Sequence, residues 1–397
     1  MSLDLRIKAR DLALAETDRK NPADFVLHRA GRYEPELLRL IGGHLDYLRI
    51  LEKKVPLWYE NGQTLPFTGI NLEQSSSELT ARYKAGYVDG ENGLDLTGGL
   101  GVDSFFLSHR FRNFTHNEPD SGLSEVVRHN FKALGAGNVA FTCFTAENYP
   151  WPGTRYQWIY LDPSRRDRAN RKLVLPEDCL PDLPAHRPRL LEHADALMVK
   201  YSPMLDIKLA ISRLETVHEV WILAEKNEVK ELVFILRGSA RPHPEIRCVN
   251  LATSQPEFTF TYEEEKTAAP RYSPPLRYLY EPNAALMKAG AFNCSATRFG
   301  LQKLGSNSHL YTHDTLLPHY PGRVLEIRDV TPFDKKRLNS SVPGKQANII
   351  CRNFPMKPEE VKKKLQWKDG GDTYLYLTED LNRKKIALVA ERVIIDN

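Results

Sequence analysis

Residues 93–106, GLDLTGGLGVDSFF, constrain the fold of this 397-residue chain more than any other stretch. Residues 93–97 alternate apolar and polar side chains after a turn-like Asp89-Gly90-Glu91-Asn92, which predicts a strand. Gly98-Gly99-Leu100-Gly101 then has side-chain bulk at only one position. Glycine reaches backbone angles closed to other residues and lets a ligand come close to the main chain. Residues 102–107 open a helix whose free N–H groups face back over the glycines. Strand, glycine turn and helix in this order make the nucleotide-binding corner of an open α/β sheet. The competing reading is a tight turn that merely needs glycine, so the neighbouring stretches decide.

Residues 114–118 (FTHNE) read as the next strand and end in an acid, Glu118, twenty residues beyond Gly98. A carboxylate there can accept both ribose hydroxyls of an adenosine. Residues 138–144 read as a third strand, followed by Thr145-Ala146-Glu147. Residues 156–161 run into Asp162-Pro163-Ser164-Arg165-Arg166-Asp167, and residues 196–200 run into Tyr201-Ser202-Pro203. Each apolar run thus ends in polar or special residues along one edge of a parallel sheet. Residues 219–224 and 231–236, joined by a short charged connection, read as a closing antiparallel hairpin.

This series resembles the class I S-adenosylmethionine-dependent methyltransferases. Asp95-Leu96-Thr97-Gly98-Gly99-Leu100-Gly101 is similar to their first motif, and Glu118 to their ribose acid. Asp162-Pro163-Ser164-Arg165 stands where nucleic-acid methyltransferases carry Asp/Asn-Pro-Pro-Tyr/Phe or Asp-Pro-Pro-Arg. The resemblance covers residues 65–236. It implies an α/β, Rossmann-like fold with a seven-stranded sheet and S-adenosylmethionine as cofactor. It also implies cofactor contacts at Gln74, Ser76, Asp95, Thr97, Gly98, Gly99, Gly101, Asp103, Glu118, Ala146, Glu147 and Asp162. Gln74 and Ser76 would belong to a segment that folds over the cofactor's methionine. Their plainer reading is a helix start, with Ser75 or Ser76 capping a helix over 77–87. A dinucleotide dehydrogenase fits less well, because the full Gly-x-Gly-x-x-Gly spacing is missing.

Around this core the chain divides into four stretches. Residues 1–64 show helical spacing over 35–41 and 44–51, with Gly42-Gly43 as a break or kink. Such a helical cap could cover the sheet or rest against a substrate. Residues 65–238 hold the methyltransferase-like sheet. Within them, 167–188 is rich in Arg, Pro and charge without periodicity, and reads as a loop over the substrate side. Residues 239–321 carry strand-like runs at 245–251 and 257–263, then helical runs at 283–288 and 295–304, and read as a strand extension followed by a small α/β module.

Residues 322–397 alternate strand and helix and hold 16 Lys and Arg against 11 Asp and Glu. That excess accounts for the whole chain's net charge of +4. Lys362-Lys363-Lys364 is one of its two densest clusters; a solvated surface is the plain reading, and phosphate binding the functional one. The tail also resembles the THUMP-like domain appended to some bacterial methyltransferases, which would imply RNA, and tRNA before rRNA.

Five scattered cysteines without a Cys-X-X-Cys pair argue for a reducing cytoplasm and against a disulfide scaffold or a structural zinc. No apolar run reaches bilayer-spanning length and no metal set is expected. The oligomeric state is not legible.

A sulfonium methyl is already activated, so the protein must align a nucleophile with it and exclude water. For an exocyclic amine, Asp162 and the Pro163 carbonyl would accept its two N–H bonds. Arg165 occupies the place of a stacking aromatic, which leaves stacking to Tyr201 or to the Arg plane. Arg165 also resembles its counterpart in RNA uracil-5 methyltransferases, but those need a cysteine nucleophile where this chain has Lys200-Tyr201-Ser202-Pro203. N-methylation is therefore favoured over carbon methylation. Arg165, Arg166, Lys200, Tyr201, Lys362, Lys363 and Lys364 are the candidate substrate contacts. A small-molecule or protein methyltransferase, or a non-catalytic binding protein, stays open as an alternative.

Overall fold

The structure, a computed structural model, describes residues 2–15, 22–29, 31–67, 72–165 and 175–393. It forms two compact units, residues 1–220 with 230–242 and residues 221–229 with 243–397.

The first unit begins with helices Leu3–Ala15, Pro22–His28, Pro35–Lys54 and Pro56–Asn61. The kink expected at Gly42-Gly43 does not form, and Pro35–Lys54 is one continuous helix. Two interior glycines cost about 2 kcal/mol together. The buried stripe of Leu37, Leu38, Ile41, Leu45, Leu48 and Leu51 outweighs that cost. Gly42 also has a packing reason, since a Cβ there would lie 2.7 Å from Val26 Cγ2 on the neighbouring helix.

These helices rest on the helices that flank the sheet. Trp58 packs edge-on against Phe105, and Leu65 exchanges both backbone hydrogen bonds with the Asn130 side chain, at 2.7 and 3.0 Å. Arg6 and Arg10 tie the first helix down by donating to the carbonyls of Pro66 and Gln63.

The strands that lie in or pass through this unit are β1 (Gly90–Asp95), β2 (Phe111–Asn117), β3 (Val139–Thr142), β4 (Tyr156–Leu161), β5 (Ser164–Arg165), β6 (Cys179–Leu180), β7 (Ala194–Tyr201), β8 (Val217–Glu225), which leaves it at Trp221, and β9 (Glu228–Arg237), which re-enters it at Lys230. β5 and β6 form a small antiparallel ribbon of their own. The other seven follow the order β8-β9-β7-β4-β1-β2-β3 and are part of a sheet of nine strands rather than the expected seven. β7, β4, β1, β2 and β3 run parallel, and β9 lies antiparallel to β7. β1 therefore sits where the chain order reverses, the crevice in which open α/β sheets bind ligands.

Three boundaries differ from the sequence reading. β1 starts at Gly90, so residues 90–92 extend the strand rather than form its lead-in turn. The charged connection before β9 shrinks to Lys226 and Asn227, both left-handed (φ 50° and 69°), the geometry of a two-residue hairpin. Residues 183–188, expected as the end of the loop, belong to the helix Leu183–His193, capped by Asp182.

The second unit holds β10 (Glu245–Leu251), β11 (Phe258–Phe260), β12 (Arg271–Tyr272), β13 (Tyr278–Pro282), β14 (Gln302–Lys303), β15 (Tyr311–His313), β16 (Gly322–Pro332), β17 (Asn348–Cys351), β18 (Thr373–Glu379) and β19 (Lys385–Arg392). The last eight of these make one sheet, in the order β12-β14-β15-β13-β16-β19-β18-β17.

β11 is shorter than the run 257–263, because Thr261 and Glu264 form a capping box that opens the helix Tyr262–Thr267. The helix expected at 295–304 is Asn293–Arg298, and β14 follows it. Glu281 on β13 is buried and receives Arg352 at 2.7 Å, the Tyr376 hydroxyl at 2.7 Å and Arg323 at 3.3 Å. This ionic seam joins β13 to β16, β18 and the end of β17.

Candidate active site

The C-terminal ends of β1, β2, β4 and β7 supply the site. After β1 the backbone keeps bonding to both neighbours: Leu96 N donates to Tyr160 O (3.0 Å) and Gly98 N to Asn117 O (2.8 Å). The turn closes with Gly101 N donating to Gly98 O at 3.0 Å. Gly98 must lack a side chain, since a Cβ there would fall 2.2 Å from the buried His116 ring. Gly101 adopts φ 80° and starts the helix Val102–Ser108; its Cβ would meet Val127 and Phe131 within 3 Å.

Glu118 stands across this turn. Its Oε2 accepts from Gly99 N (3.0 Å) and its Oε1 from Asp120 N (2.9 Å), so the carboxylate is fixed while each oxygen keeps a further lone pair. Burial raises its pKa, against the two backbone donors. Asn117 staples three strand ends by donating to the carbonyls of Leu96 and Phe144 while accepting from the Thr142 hydroxyl and Phe144 N.

Under the turn, Ser104 Oγ donates to Asp95 Oδ2 (2.5 Å) and lies 2.8 Å from His116 Nδ1. Burial pushes the Asp95 carboxyl up to about 7, against hydrogen bonds from Ser104 and Thr97, and pushes the His116 imidazole down to about 3. From about pH 4 to 6.5 the folded chain then holds one proton on Asp95 and none on His116, and the unfolded chain the reverse. The two dependences cancel.

Single variants expose each of them. Asp95→Asn leaves a folded state with one proton fewer than the unfolded state, so stability should fall on acidification below pH 6.5, by up to about 1.4 kcal/mol per pH unit. His116→Gln leaves only the raised carboxyl, so stability should be highest below about pH 4 and fall as pH rises towards 7. Thermal melts across this window check the pair, and slopes of the same sign would refute it.

Asp162 follows β4. Its backbone N–H donates to Thr97 Oγ1 (2.7 Å), and its Oδ2 lies 2.7 Å from Lys200 Nζ. Burial works against the Lys200 charge, yet Asp162, Glu231 and Asp103 together outweigh it and raise its pKa. Beside them Lys84 is fully buried, with Nζ 2.8 Å from Asp103 Oδ1, 2.6 Å from Glu231 Oε1 and 2.8 Å from Ser76 Oγ. Asp103 Oδ2 accepts from Ser76 Oγ (2.7 Å) and the Tyr160 hydroxyl (2.8 Å). Burial disfavours the Asp103 carboxylate, but Lys84 and Lys200 hold it below the usual range.

A cavity of about 580 Å³ lies over these groups. It brings together Gln74, Asp95, Thr97, Gly98, Gly99, Gly101, Asp103, Glu118, Ala146, Glu147 and Asp162. Ser76 is not among its walls. Its hydroxyl is buried in the Lys84 network, Ser75 takes the wall position, and the cap of the helix Glu78–Ala85 is Ser77 rather than Ser75 or Ser76.

Lys200 is 8% exposed and reaches the site through Asp162. Tyr201 is 3% exposed and packs edge-on against Phe234, so its ring is not a stacking platform. Arg166 lies outside the described residues, as does the Arg165 side chain. Lys362, Lys363 and Lys364 occupy the last turn of the helix Pro358–Leu365 in the second unit. Among the described residues no group of His, Cys, Asp or Glu could hold a metal, and no helix is long and apolar enough to cross a membrane.

Local reading missed Lys84, Glu231, Asn117 and Tyr160. Lys84 carried one usable signal: it shares a helical stripe with Thr80, Ala81, Ala85 and Val88, all buried.

Compared with solved structures, the chain matches the crystal structure of a "putative methyltransferase" from Porphyromonas gingivalis W83. The TM-score is 0.89 and the identity 30%, over 99% of this chain and 100% of that one. The chain belongs to this methyltransferase family. Two further matches are partial. A methyltransferase from Streptococcus mutans in complex with SAH, likewise described as putative, shares 15% identity over 40% of this chain and 96% of its own, with a TM-score of 0.30. An rRNA methylase from Streptococcus thermophilus shares 14% identity over 40% and 94%, also with a TM-score of 0.30. In the methyltransferase, residues 278–321 match a ferredoxin-like domain and residues 322–392 a domain described as THUMP domain-like. No curated protein matches the chain.

S-adenosylmethionine fits the cleft of this methyltransferase. A Cβ at Gly99 would meet nothing nearer than Thr97 O at 3.8 Å, so the turn leaves its outer face free for a ligand. Glu118 is fixed beside that face for hydroxyl groups, and carboxylates line the floor where a cation would lie. The volume falls within the roughly 300–1,000 Å³ usual for ligand sites.

Proposed function

We propose that this methyltransferase acts on RNA, and on tRNA before rRNA, and that it methylates an exocyclic amine of a base held at Asp162-Pro163. The observation that carries the reading is the pinned Asp162. Its amide is tied to Thr97 at the glycine turn and its Oδ2 to Lys200. Oδ1 and the Pro163 carbonyl are then left to accept the two amine N–H bonds and point the lone pair at the methyl group. S-adenosylmethionine, when bound, would supply a methyl group already activated as a sulfonium. Glu118 would hold the ribose hydroxyls, Gly98 to Gly101 would admit the adenosine, and Asp103 would face the methionine end. Cys179, on β6 opposite Arg165, is buried with its Sγ turned to the Leu175 carbonyl rather than into the cleft, which favours nitrogen over a ring carbon as the acceptor.

The THUMP-like match and the Lys362-Lys363-Lys364 cluster support an RNA target. Removing residues 322–397 is a poor test, because it strips β16, β17, β18 and β19 from a sheet that begins with β12. Substitution is better. Lys363→Glu with Lys364→Glu, both exposed, should weaken tRNA binding about tenfold or more and flatten its salt dependence by about two units of log–log slope. Unchanged binding would take the tail out of RNA recognition. The reaction itself is tested by offering labelled S-adenosylmethionine with separated tRNA, rRNA, protein and small-molecule fractions. Label in tRNA supports the reading, and label only in protein or small molecules overturns it.

A further inference from the structure

We propose that Glu231 makes the cleft floor net anionic, so that the site holds the sulfonium form of the cofactor more tightly than the thioether left after methyl transfer. The proposal rests on the cofactor reading above.

Glu231 lies near the start of β9, the antiparallel strand, and is 4% exposed. A carboxylate buried there needs a partner, and Lys84 Nζ donates to it at 2.6 Å; Ser76 Oγ lies 3.0 Å away, with its single proton divided between Glu231 and Asp103. Through Lys84 it joins Asp103, which lines the cavity, and it acts electrostatically on Lys200, the partner of Asp162. The linked set contains two lysines and three carboxylates, leaving one negative charge. Asp95 adds to that charge when ionised. Two further cations, Lys54 and Lys230, act on one another farther out; Glu73 and Glu231 oppose Lys54, and neither lysine lines the cavity.

Lys84 has no proton to offer a reaction, since three acceptors surround its three N–H bonds and none of it is exposed. Its arrangement instead pairs Asp103 and Glu231 with one buried cation. A fixed, desolvated negative charge costs the protein something unless a ligand uses it. S-adenosylmethionine carries a cationic sulfur, and S-adenosylhomocysteine carries a neutral one in the same place. The floor therefore tells the two apart by charge rather than by shape, which favours release of the product.

The test is the ratio of dissociation constants, S-adenosylhomocysteine over S-adenosylmethionine, measured by calorimetry on the full chain. Glu231→Gln takes the floor to neutral, and the ratio should fall about three- to tenfold, mainly through weaker S-adenosylmethionine binding. Glu231→Asp keeps the charge and should hold the ratio within about twofold. Lys84→Gln with Glu231→Gln exchanges the ion pair for a neutral pair, leaves the net charge as it was, and should restore the ratio even if both affinities drop. That restoration is a result a merely structural role does not give. A ratio unmoved in Glu231→Gln, or one that fails to return in the double variant, overturns the proposal. If the unaltered protein binds neither ligand, the cofactor reading itself has failed.

Discussion

Asp162→Ala is expected to lower methyl transfer about 10²- to 10³-fold while S-adenosylmethionine affinity stays within about threefold. The expectation follows from what Asp162 touches. Its backbone is held by Thr97, and that bond survives the substitution. The lost group is the carboxylate that would orient the target amine. One complication must be removed by design: Lys200 is almost wholly buried and would be left without its partner at 2.7 Å. A stranded buried cation can disturb the site by itself. Asp162→Ala with Lys200→Met separates the two causes, since alanine leaves no acceptor and methionine no stranded charge. If the stranded lysine were the fault, the double variant would recover turnover; if Asp162 is the acceptor, it stays as slow as Asp162→Ala. Turnover unchanged in Asp162→Ala would end the proposed role.

Lys84→Met should destabilise the first unit by about 3–5 kcal/mol, the usual penalty for removing one member of a buried ion pair. The penalty comes from Asp103 and Glu231, which would be left close together with no cation between them. Methionine fills similar volume, so little of the loss would be packing. Adding Glu231→Gln removes one of the stranded charges and should return part of the stability, so the two effects should be clearly non-additive. Urea unfolding followed by tryptophan fluorescence measures both. A loss below about 1 kcal/mol in Lys84→Met would show that the network contributes little.

Much of the site was legible because its signals are local. Strand, glycine turn and helix are contiguous, and Glu118 and Asp162 each end a run of apolar residues. The structure brings these stretches to one edge because parallel pairing aligns the ends of β1, β2, β4 and β7. The illegible part is long-range. Lys84 and Glu231 are 147 positions apart, and nothing near either one announces the other. Ser76 was misplaced for a related reason. Local pattern offers three serines as equivalent caps, and only the buried lysine distinguishes the one turned inward. The helix through Gly42-Gly43 shows the opposite limit, since propensity argued for a break and tertiary packing overrode it. In the second unit the short strands β14 and β15 have too few residues to show alternation, so only the helical runs of the expected small α/β module could be placed.

Among the described residues β19 is the last strand, yet it lies inside its sheet, with β16 on one side and β18 on the other. Until it is synthesised, two inner edges stand open, and the buried faces of Leu325, Leu375 and Leu377 lack their covering neighbours. The unit therefore cannot close strand by strand as it emerges from the ribosome. A frameshift or proteolytic cut as late as residue 384 should act like loss of the whole second unit, exposing a sticky, half-built sheet to chaperones and proteases rather than shortening a dispensable tail.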